Sequence, residues 1–530
     1  MKKTLFFLLL ILLIALFTRI YRISLVPPSL SWDEAAIGYD AYSVVETGKD
    51  QWGVSWPVAF KSFGEYKYPL HIYAAGIFIK LFGLSEFSVR IGSVIFGVIN
   101  VLLLYLFVKT AFKKKKLALL SSFFLAISPW HIQFSRVSWE TNYALFFFLL
   151  GLIFFFKYIN EKPYKRYIVF SFLSFGITLF TYNAAKIFVP IIVITLIILY
   201  FQKLIKQKIF YISIVIFLVF IGINFLNPNL SGLNRLSQLS LMEYQVVETY
   251  AYKTTKVYKL GVLEVYAKQY LSHFSAQFLF MKGDPNPRHS IQTVGELYWF
   301  DVLLLPIGLI FLVKKRNKIA ILLLIWFFTS IIPASITRET PHASRAMFAL
   351  GGWQIISAMG LISIFSFKGL KNRLIFKSLF IFIIFLFFLN YLRNYFGQYP
   401  KTYSQYWQYG YRQVASYINV NYDKYDKIYI TRKYGEPQIF LLFYLKYPPE
   451  KYQNDANLIR RKEGDWIKVF AFDKFVFLED SEVKDIYNSM GKTKEKVLFI
   501  GTAGNFPNSV ISLEVINFLD GSPAFQIVEI

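Results

Sequence analysis

Long apolar runs recur over the first three quarters of the chain and set its architecture. A helix needs about 20 mostly apolar residues to cross the hydrocarbon core of a membrane. Runs near that length occur repeatedly before residue 397, separated by polar connections. They predict a polytopic α-helical membrane protein with about eleven transmembrane helices. These lie at about 4–20, 87–108, 117–134, 141–156, 167–182, 187–201, 209–226, 299–313, 319–333, 346–366 and 378–396.

The last quarter follows a different pattern, in which short apolar runs alternate with polar segments. Helices are predicted near 410–421 and 436–446, and strands near 426–431, 468–478, 496–501 and 510–518. The sequence therefore predicts two domains. Residues 1–396 form a transmembrane catalytic domain with long outer loops at 21–86 and 227–298, and residues 397–530 form an extracytoplasmic α/β domain.

The distribution of charge predicts how the chain lies across the membrane. The formal net charge is +26, yet residues 397–530 hold 17 Lys and Arg against 16 Asp and Glu. Most of the excess lies at the N-terminus and in alternate short connections before residue 397, which together carry 22 basic residues and one acid, Glu161. Basic loops favour the cytoplasmic side. This pattern predicts a plasma-membrane protein with a cytoplasmic N-terminus and an outer C-terminal domain, and it argues against a nucleic-acid partner.

The absence of cysteine excludes disulfides, thiolate metal sites and cysteine nucleophiles. Polar residues that could carry chemistry fall in the predicted outer loops instead. Asp33 and Glu34 follow the first span; taken alone they suit a solvated loop or a helix N-terminus, and the functional alternative is a general base or a cation ligand. They are joined by Lys67, by Arg90 at the start of the second span, by Arg136 and Glu140, and by His342 and Arg345.

Acids and cations on one face of a membrane suit a lipid phosphate and a hydroxyl acceptor. The basic groups would hold the phosphate and an acid would take the proton of the hydroxyl. Interfacial snorkelling explains Arg90 or Arg136 equally well when each is taken singly. No pair of histidines has a strong metal-ligand spacing, so the sequence leaves the metal open.

The order of these motifs resembles the GT-C superfamily of lipid-carrier-dependent glycosyltransferases. It is most similar to the branch of protein O-mannosyltransferases and lipid A aminoarabinose transferases. The motifs, all before residue 397, are Asp33-Glu34, Lys67-Tyr-Pro-Leu70, Phe82-Gly83 with Arg90, Arg136 with Glu140, Gly283-Asp284 to His289, and Gly295-Glu-Leu-Tyr298. Tyr68 and Glu140 depart from residues common in that branch, and the second departure leaves the role of Glu140 unsettled.

The resemblance implies an inverting transfer of a hexose or pentose from a polyprenyl-phosphate donor to a hydroxyl on a protein, lipid or glycan. Asp33 would be the general base with Glu34 as its neighbour, and Lys67 would hold the lipid phosphate. Phosphate or structural roles are implied for Arg90, Arg136 and Arg345. The resemblance requires no cofactor, and it leaves a divalent metal open.

Three other functions compete with a transferase. A transporter or flippase for a lipid-linked sugar would need ionisable groups near the bilayer midplane and often internal repeats, and neither pattern is evident. A glycan polymerase or ligase also uses Arg and His in outer loops, whereas the early Asp33-Glu34 pair favours the transferase. A scaffold without chemistry would tolerate alanine at Asp33 or Lys67.

Overall fold

The protein divides into two compact units, each built from separate parts of the chain. A computed structural model describes residues 2–160, 164–232, 241–367, 373–490, 494–507 and 509–530. The first unit comprises Met1–Tyr21 and Ser93–Asn394, and the second comprises Arg22–Gly92 and Tyr395–Ile530. The sequence assigns residues 22–92 to the membrane domain, whereas the structure groups them with the C-terminal sheet.

The chain is a multi-pass membrane protein. In the described ranges, eight helices are long and apolar enough to span a membrane: Lys2–Ile20, Glu86–Phe112, Thr141–Asn160, Ala185–Leu204, Lys208–Leu226, Lys318–Ser335, Met347–Ser366 and Leu374–Thr402. The helices Arg166–Thr178 and Asp301–Lys315 cover two further predicted spans but are shorter. The helical membrane fold is confirmed, while the number of crossings and their orientation stay predictions.

The predicted span 117–134 is broken in the structure. The helix Lys115–Ile127 is followed by the helix Pro129–Ser135, and the two axes differ by 61°. Pro129 lacks an N–H group and cannot continue the hydrogen bonding of the preceding helix, but it suits the first turn of the next one. Ser128 caps that next helix, because its hydroxyl accepts a hydrogen bond from the His131 N–H.

The predicted outer loop 227–298 is largely helical where the structure describes it. Its helices are Pro228–Ser231, Glu243–Val247, Tyr250–Thr255, Tyr258–Ser272 and a π-helical turn at Gln277–Met281. Parts of two basic connections, residues 161–163 with Glu161 and residues 368–372, lie outside the described residues. One residue of the predicted turn 501–509 does so as well.

The second unit contains a mixed seven-stranded sheet. Its strands are β3 (Lys427–Thr431), β4 (Ile459–Glu463), β5 (Trp466–Phe472), β6 (Phe475–Leu478), β7 (Val497–Gly501), β8 (Glu514–Asn517) and β9 (Pro523–Glu529), in the order β4-β5-β6-β3-β7-β9-β8. β3 pairs in parallel with β6 and β7. The helices Tyr411–Asn421, Pro437–Tyr444, Pro449–Gln453 and Asp480–Ser489 complete the α/β fold, which confirms the predicted α/β character of this region.

Residues 22–92 share one hydrophobic core with this sheet. Their helices are Trp32–Thr47 and Pro69–Phe82, and a short hairpin pairs β1 (Phe60–Lys61) with β2 (Tyr66–Lys67). The Tyr39 hydroxyl donates to the Tyr447 carbonyl at 2.9 Å, and the Ile467 N–H donates to the Phe63 carbonyl at 2.7 Å. Since apolar packing and backbone bonds join these parts, the C-terminal sheet supports the segment that carries Asp33 and Lys67.

Candidate active site

The two neighbouring acids Asp33 and Glu34 lie in the first turn of the helix Trp32–Thr47. Ser31 caps this helix: its hydroxyl accepts from the Glu34 N–H, and the Glu34 carboxylate accepts from the Ser31 N–H at 3.2 Å. This reciprocal capping box fixes the direction in which the first turn points. Trp32 packs against Gly435, which has φ +110° and no room for a side chain beside the indole ring.

Glu34 is engaged in a fully buried ion pair with Arg90. The Arg90 Nε lies 2.8 Å from one Glu34 carboxylate oxygen, and a terminal nitrogen lies 3.0 Å from the other. The remaining N–H groups of Arg90 donate to the backbone carbonyls of Ile23, Pro27 and Ser29. Because all five donors of the guanidinium are used inside the unit, the geometry supports a positioning role for Glu34 and Arg90.

Asp33 has a different environment although it is the next residue. Its carboxylate lies 2.7 Å from the Lys67 ammonium, and 29% of the Asp33 side chain is exposed. Glu65 lies 3.6 Å from the same ammonium. The hairpin that holds Lys67 therefore places a cation beside a partly exposed carboxylate. In this arrangement the ammonium can bind an anionic group of a substrate.

A third acid, Asp40, is buried two turns further along the same helix. Its carboxylate accepts hydrogen bonds from the Gln51 N–H at 3.1 Å and from the Gln51 side-chain amide at 3.0 Å. Burial is the main cause that raises the pKa of Asp40 to about 8, and the nearby Asp50 carboxylate contributes to this rise. Asp40 therefore keeps its proton at neutral pH, unlike an ordinary aspartate.

The first unit holds a second polar cluster, formed by Asp284, His289 and His342. The Asp284 Oδ2 lies 2.9 Å from the His289 Nδ1 and 3.9 Å from the His342 Nδ1. Burial opposes ionisation of Asp284, but His289 beside it outweighs that effect and lowers the Asp284 pKa to about 2. These three side chains form a possible metal site, since one potential ligand atom from each lies within 4.8 Å of the others.

The loop that contains Arg345 lies next to this cluster. The Arg345 N–H approaches the His342 Nδ1 at 3.4 Å, and the guanidinium donates to Thr337 and Glu339 at 2.8 Å each. The aromatic ring of Trp139, the residue before Glu140, packs edge to face against His289 with centroids 5.2 Å apart. The structure thus brings His342 and Arg345 together with Asp284 and His289.

Arg136 lies elsewhere in the first unit and is fully buried. Its guanidinium donates to the carbonyls of Thr18, Arg19 and Tyr21, at the end of the helix Lys2–Ile20. A cation there satisfies carbonyl groups that have no partner within the helix and complements the negative end of the helix dipole. Arg136 therefore suits a structural role, and Glu140 is half-buried just before the helix Thr141–Asn160.

Comparisons with known proteins identify the fold. ArnT from Cupriavidus metallidurans in the apo state has a TM-score of 0.56 at 11% identity, covering 100% of this chain and 98% of that one. The same protein bound to undecaprenyl phosphate has a TM-score of 0.52 at 11% identity, covering 100% and 97%. The chain has the GT-C fold. The resemblance predicted from the sequence is thereby confirmed at the level of the fold.

Part of this GT-C chain also matches a family by sequence. The model of the dolichyl-phosphate-mannose-protein mannosyltransferase family matches residues 67–225. The Archaeoglobus fulgidus oligosaccharyltransferase in complex with Zn and sulfate has a TM-score of 0.50 at 14% identity, covering 82% of this chain. This chain spans 61% of that oligosaccharyltransferase. A search of the curated proteins returned no match to the sequence.

Asp284 and His289 belong to a loop motif that contributes to the GT-C resemblance, but the sequence indicates no role for either residue. The missing information is spatial, because His342 lies 58 residues after Asp284 and no local spacing links the two. The signal in the sequence is local: each of the two polar stretches contains one His that follows a Pro by one or two residues, and each lies close to an apolar run.

Proposed function

We propose that the protein is an integral membrane glycosyltransferase that moves a sugar from a polyprenyl-phosphate donor to a hydroxyl acceptor. Transfer takes place on the outer face of the plasma membrane and inverts the anomeric centre. The acceptor belongs to a protein, a lipid or a glycan. The observation that carries this proposal is the Asp33–Lys67 pair, which joins a partly accessible carboxylate to an ammonium at 2.7 Å.

The pair supplies the two functions that such a transfer needs. The acceptor oxygen forms a bond to the anomeric carbon while its proton passes to the Asp33 carboxylate. The bond between that carbon and the phosphate oxygen breaks, and its electron pair stays on the polyprenyl phosphate. Lys67 stabilises this charge, and a contact of that kind contributes about 3–4 kcal/mol at a transition state.

The ion pair also gives the site an order of events. While Lys67 is paired with Asp33, the negative charge of Asp33 weakens the attraction between the ammonium and a donor phosphate. Binding of the phosphate competes for the ammonium, and Asp33 is then released to accept a proton. Donor binding therefore prepares the base before the acceptor reacts.

The relatives support this assignment of the donor. The matched family is described as dolichyl-phosphate-mannose-protein mannosyltransferase, and the match begins at Lys67. The ArnT structure with the same fold is bound to undecaprenyl phosphate. Both names refer to polyprenyl phosphates, which is the class of carrier that a basic group at a membrane surface would bind.

A divalent metal at Asp284, His289 and His342 is the one additional component in the proposal. The carboxylate and the two imidazoles are suitable ligands for such an ion, and the related oligosaccharyltransferase structure contains Zn. The proposed transfer step does not pass through this ion.

The orientation has a direct test, since the chain contains no cysteine. Lys115→Cys lies in a predicted cytoplasmic connection and Glu450→Cys lies in the C-terminal domain, and both positions are exposed. In intact cells an impermeant thiol reagent should label the cysteine at 450 and should spare the one at 115 until the cells are opened. The reverse labelling pattern would contradict the orientation.

The activity is tested with purified protein in liposomes, offered a panel of polyprenyl-phosphate sugars and hydroxyl acceptors. We expect release of polyprenyl phosphate that matches the sugar transferred, and loss of both products in Asp33→Asn. Movement of the lipid-linked sugar between leaflets without transfer would favour a flippase instead. Extension of one glycan by repeated additions would favour a polymerase.

A further inference from the structure

The Asp284, His289 and His342 side chains converge from two separate segments of the first unit. Asp284 and His289 lie between the π-helical turn Gln277–Met281 and the helix Asp301–Lys315, and His342 precedes the span Met347–Ser366. Tetrahedral zinc with ligands at about 2.0–2.1 Å requires ligand atoms about 3.3 Å apart. The Asp284 Oδ2 lies 2.9 Å from the His289 Nδ1, which is a hydrogen-bond distance, and 3.9 Å from the His342 Nδ1, so the two distances lie on either side of that value.

The protein holds Asp284 in place before any ion binds. One carboxylate oxygen accepts from the Asn286 N–H at 2.8 Å, and the other accepts from the Ala343 N–H at 2.7 Å. The Asp284 N–H donates to the buried Glu296 carboxylate at 3.0 Å. Gly283, with φ +80°, makes this close approach feasible, because a Cβ there would meet Ser290 and Glu296 at less than 3 Å.

His342 is also held by a neighbouring group. Its backbone N–H donates to the Nε2 of His273 at 3.1 Å, and the Nδ1 of His273 lies 2.9 Å from the Gln269 carbonyl. These two bonds fix His273 as the tautomer with the proton on Nδ1. Supporting hydrogen bonds of this kind are typical around metal ligands, where they set the orientation of the donor atoms.

The donor set indicates which cations fit. Two imidazoles with one carboxylate suit zinc and related transition metals, whereas magnesium and calcium prefer sites made of oxygen ligands alone. The Asp284 side chain is 3% exposed, while His289 and His342 are 13% and 14% exposed. The cluster therefore has a closed side at the carboxylate and a more accessible side at the imidazoles.

We propose that Asp284, His289 and His342 bind one divalent transition-metal ion of the zinc class, with a coordination position left open on the imidazole side. Three protein ligands with an open fourth position are typical of reactive zinc sites, whereas structural zinc sites are closed by four protein ligands. The ion joins the Asp284–His289 loop to the His342–Arg345 loop, so it sets the position of Arg345 as well.

The binding test uses the full chain in detergent, purified without a histidine tag and freed of metal by a chelator. Cobalt(II) serves as the spectroscopic probe and zinc as the competitor. We expect one equivalent of cobalt, with the intense visible absorption of a four-coordinate site, and displacement by zinc. Absence of cysteine removes thiolate binding as a background. A wild-type chain that retains well under one equivalent, or that binds cobalt only as the hexa-aquo ion, would overturn the proposal.

Variants separate this site from adventitious binding. His289→Gln and His342→Gln should each weaken metal binding by more than about 100-fold, which exceeds the usual effect of losing a supporting residue. Glu339→Gln removes an exposed carboxylate from the same loop as His342 and should leave binding unchanged. Zinc should raise the melting temperature of the wild type and of Glu339→Gln only. Unchanged affinity in both histidine variants would exclude this site, whatever their transferase activity.

Discussion

The ion pairs of the neighbouring residues Asp33 and Glu34 differ in their burial and in the hydrogen bonding of their cations. Glu34 and Arg90 are completely buried, and every donor of the arginine is used. Lys67 lies 2.7 Å from Asp33 and 3.6 Å from Glu65, and the Asp33 carboxylate is partly exposed. One ion pair therefore holds the segment in place, while the other includes a carboxylate that is partly exposed to solvent. Substitutions in each pair should consequently act on different quantities.

The largest effect is expected on stability, from the buried pair. Arg90→Met should lower the free energy of unfolding by about 3–5 kcal/mol, because Glu34 is left as a buried charge without its partner. Denaturation of the purified chain, followed by tryptophan fluorescence, measures this loss. Adding Glu34→Gln should recover part of it, since the stranded charge is then removed.

A matched control for the buried pair is Arg412→Met. Arg412 is exposed and pairs with Glu86 at 3.3 Å, so its loss should cost about 1 kcal/mol or less. Equal stability of Arg90→Met and Arg412→Met would mean that burial does not distinguish the two ion pairs.

The next effect is on catalysis, from the exposed pair. Asp33→Asn keeps the size of the side chain but removes the base, so transfer should fall by about 100-fold or more. Donor binding should be unchanged or tighter, because Lys67 loses its competing carboxylate. A transfer assay and a donor-binding titration on the same preparation measure both. Near-normal transfer by Asp33→Asn would place the base elsewhere, with Glu140 the next candidate.

A smaller effect is expected on donor affinity from Lys67. Lys67→Ala should weaken donor binding by about 10-fold or more, which corresponds to one hydrogen bond to a charged group. Lys67→Arg should restore part of it by keeping the positive charge. Titration with a polyprenyl-phosphate sugar gives the affinities. Equal affinity of Lys67→Ala and the wild type would remove Lys67 from the phosphate site.

The last prediction concerns the slope of stability against pH, which depends on the buried Asp40. Its pKa is about 8 in the folded chain, against about 3.9 in an unfolded one. The folded state therefore holds a proton that the unfolded state releases. Stability from this group is complete below pH 4 and declines by at most about 1.4 kcal/mol per pH unit as the pH rises towards 8. Asp40→Asn should flatten the melting temperature over that range. A wild-type slope in the variant would assign the pH dependence to another group.

Sequence alone could predict the membrane helices and the α/β character of the last quarter, because both follow from the spacing of apolar residues. It could also point to Asp33 and Lys67 through the order of motifs. It separates Asp33 from Glu34 only through the family resemblance, because their physical difference depends on the capping of one helix turn and on Arg90, 56 residues beyond Glu34. The Asp284–His342 approach depends likewise on two loops that only the folded chain brings together.

The split composition of the second unit has a consequence for biosynthesis. Residues 22–92 are made first, but the sheet that completes their hydrophobic core is encoded after residue 394. At about 5–20 residues per second, the ribosome needs about 15–60 s to pass the intervening segment 93–394. During that interval residues 22–92 lack the C-terminal strands that complete their hydrophobic core. A nascent chain that stops before β9 would therefore leave this segment incomplete even with its membrane helices inserted.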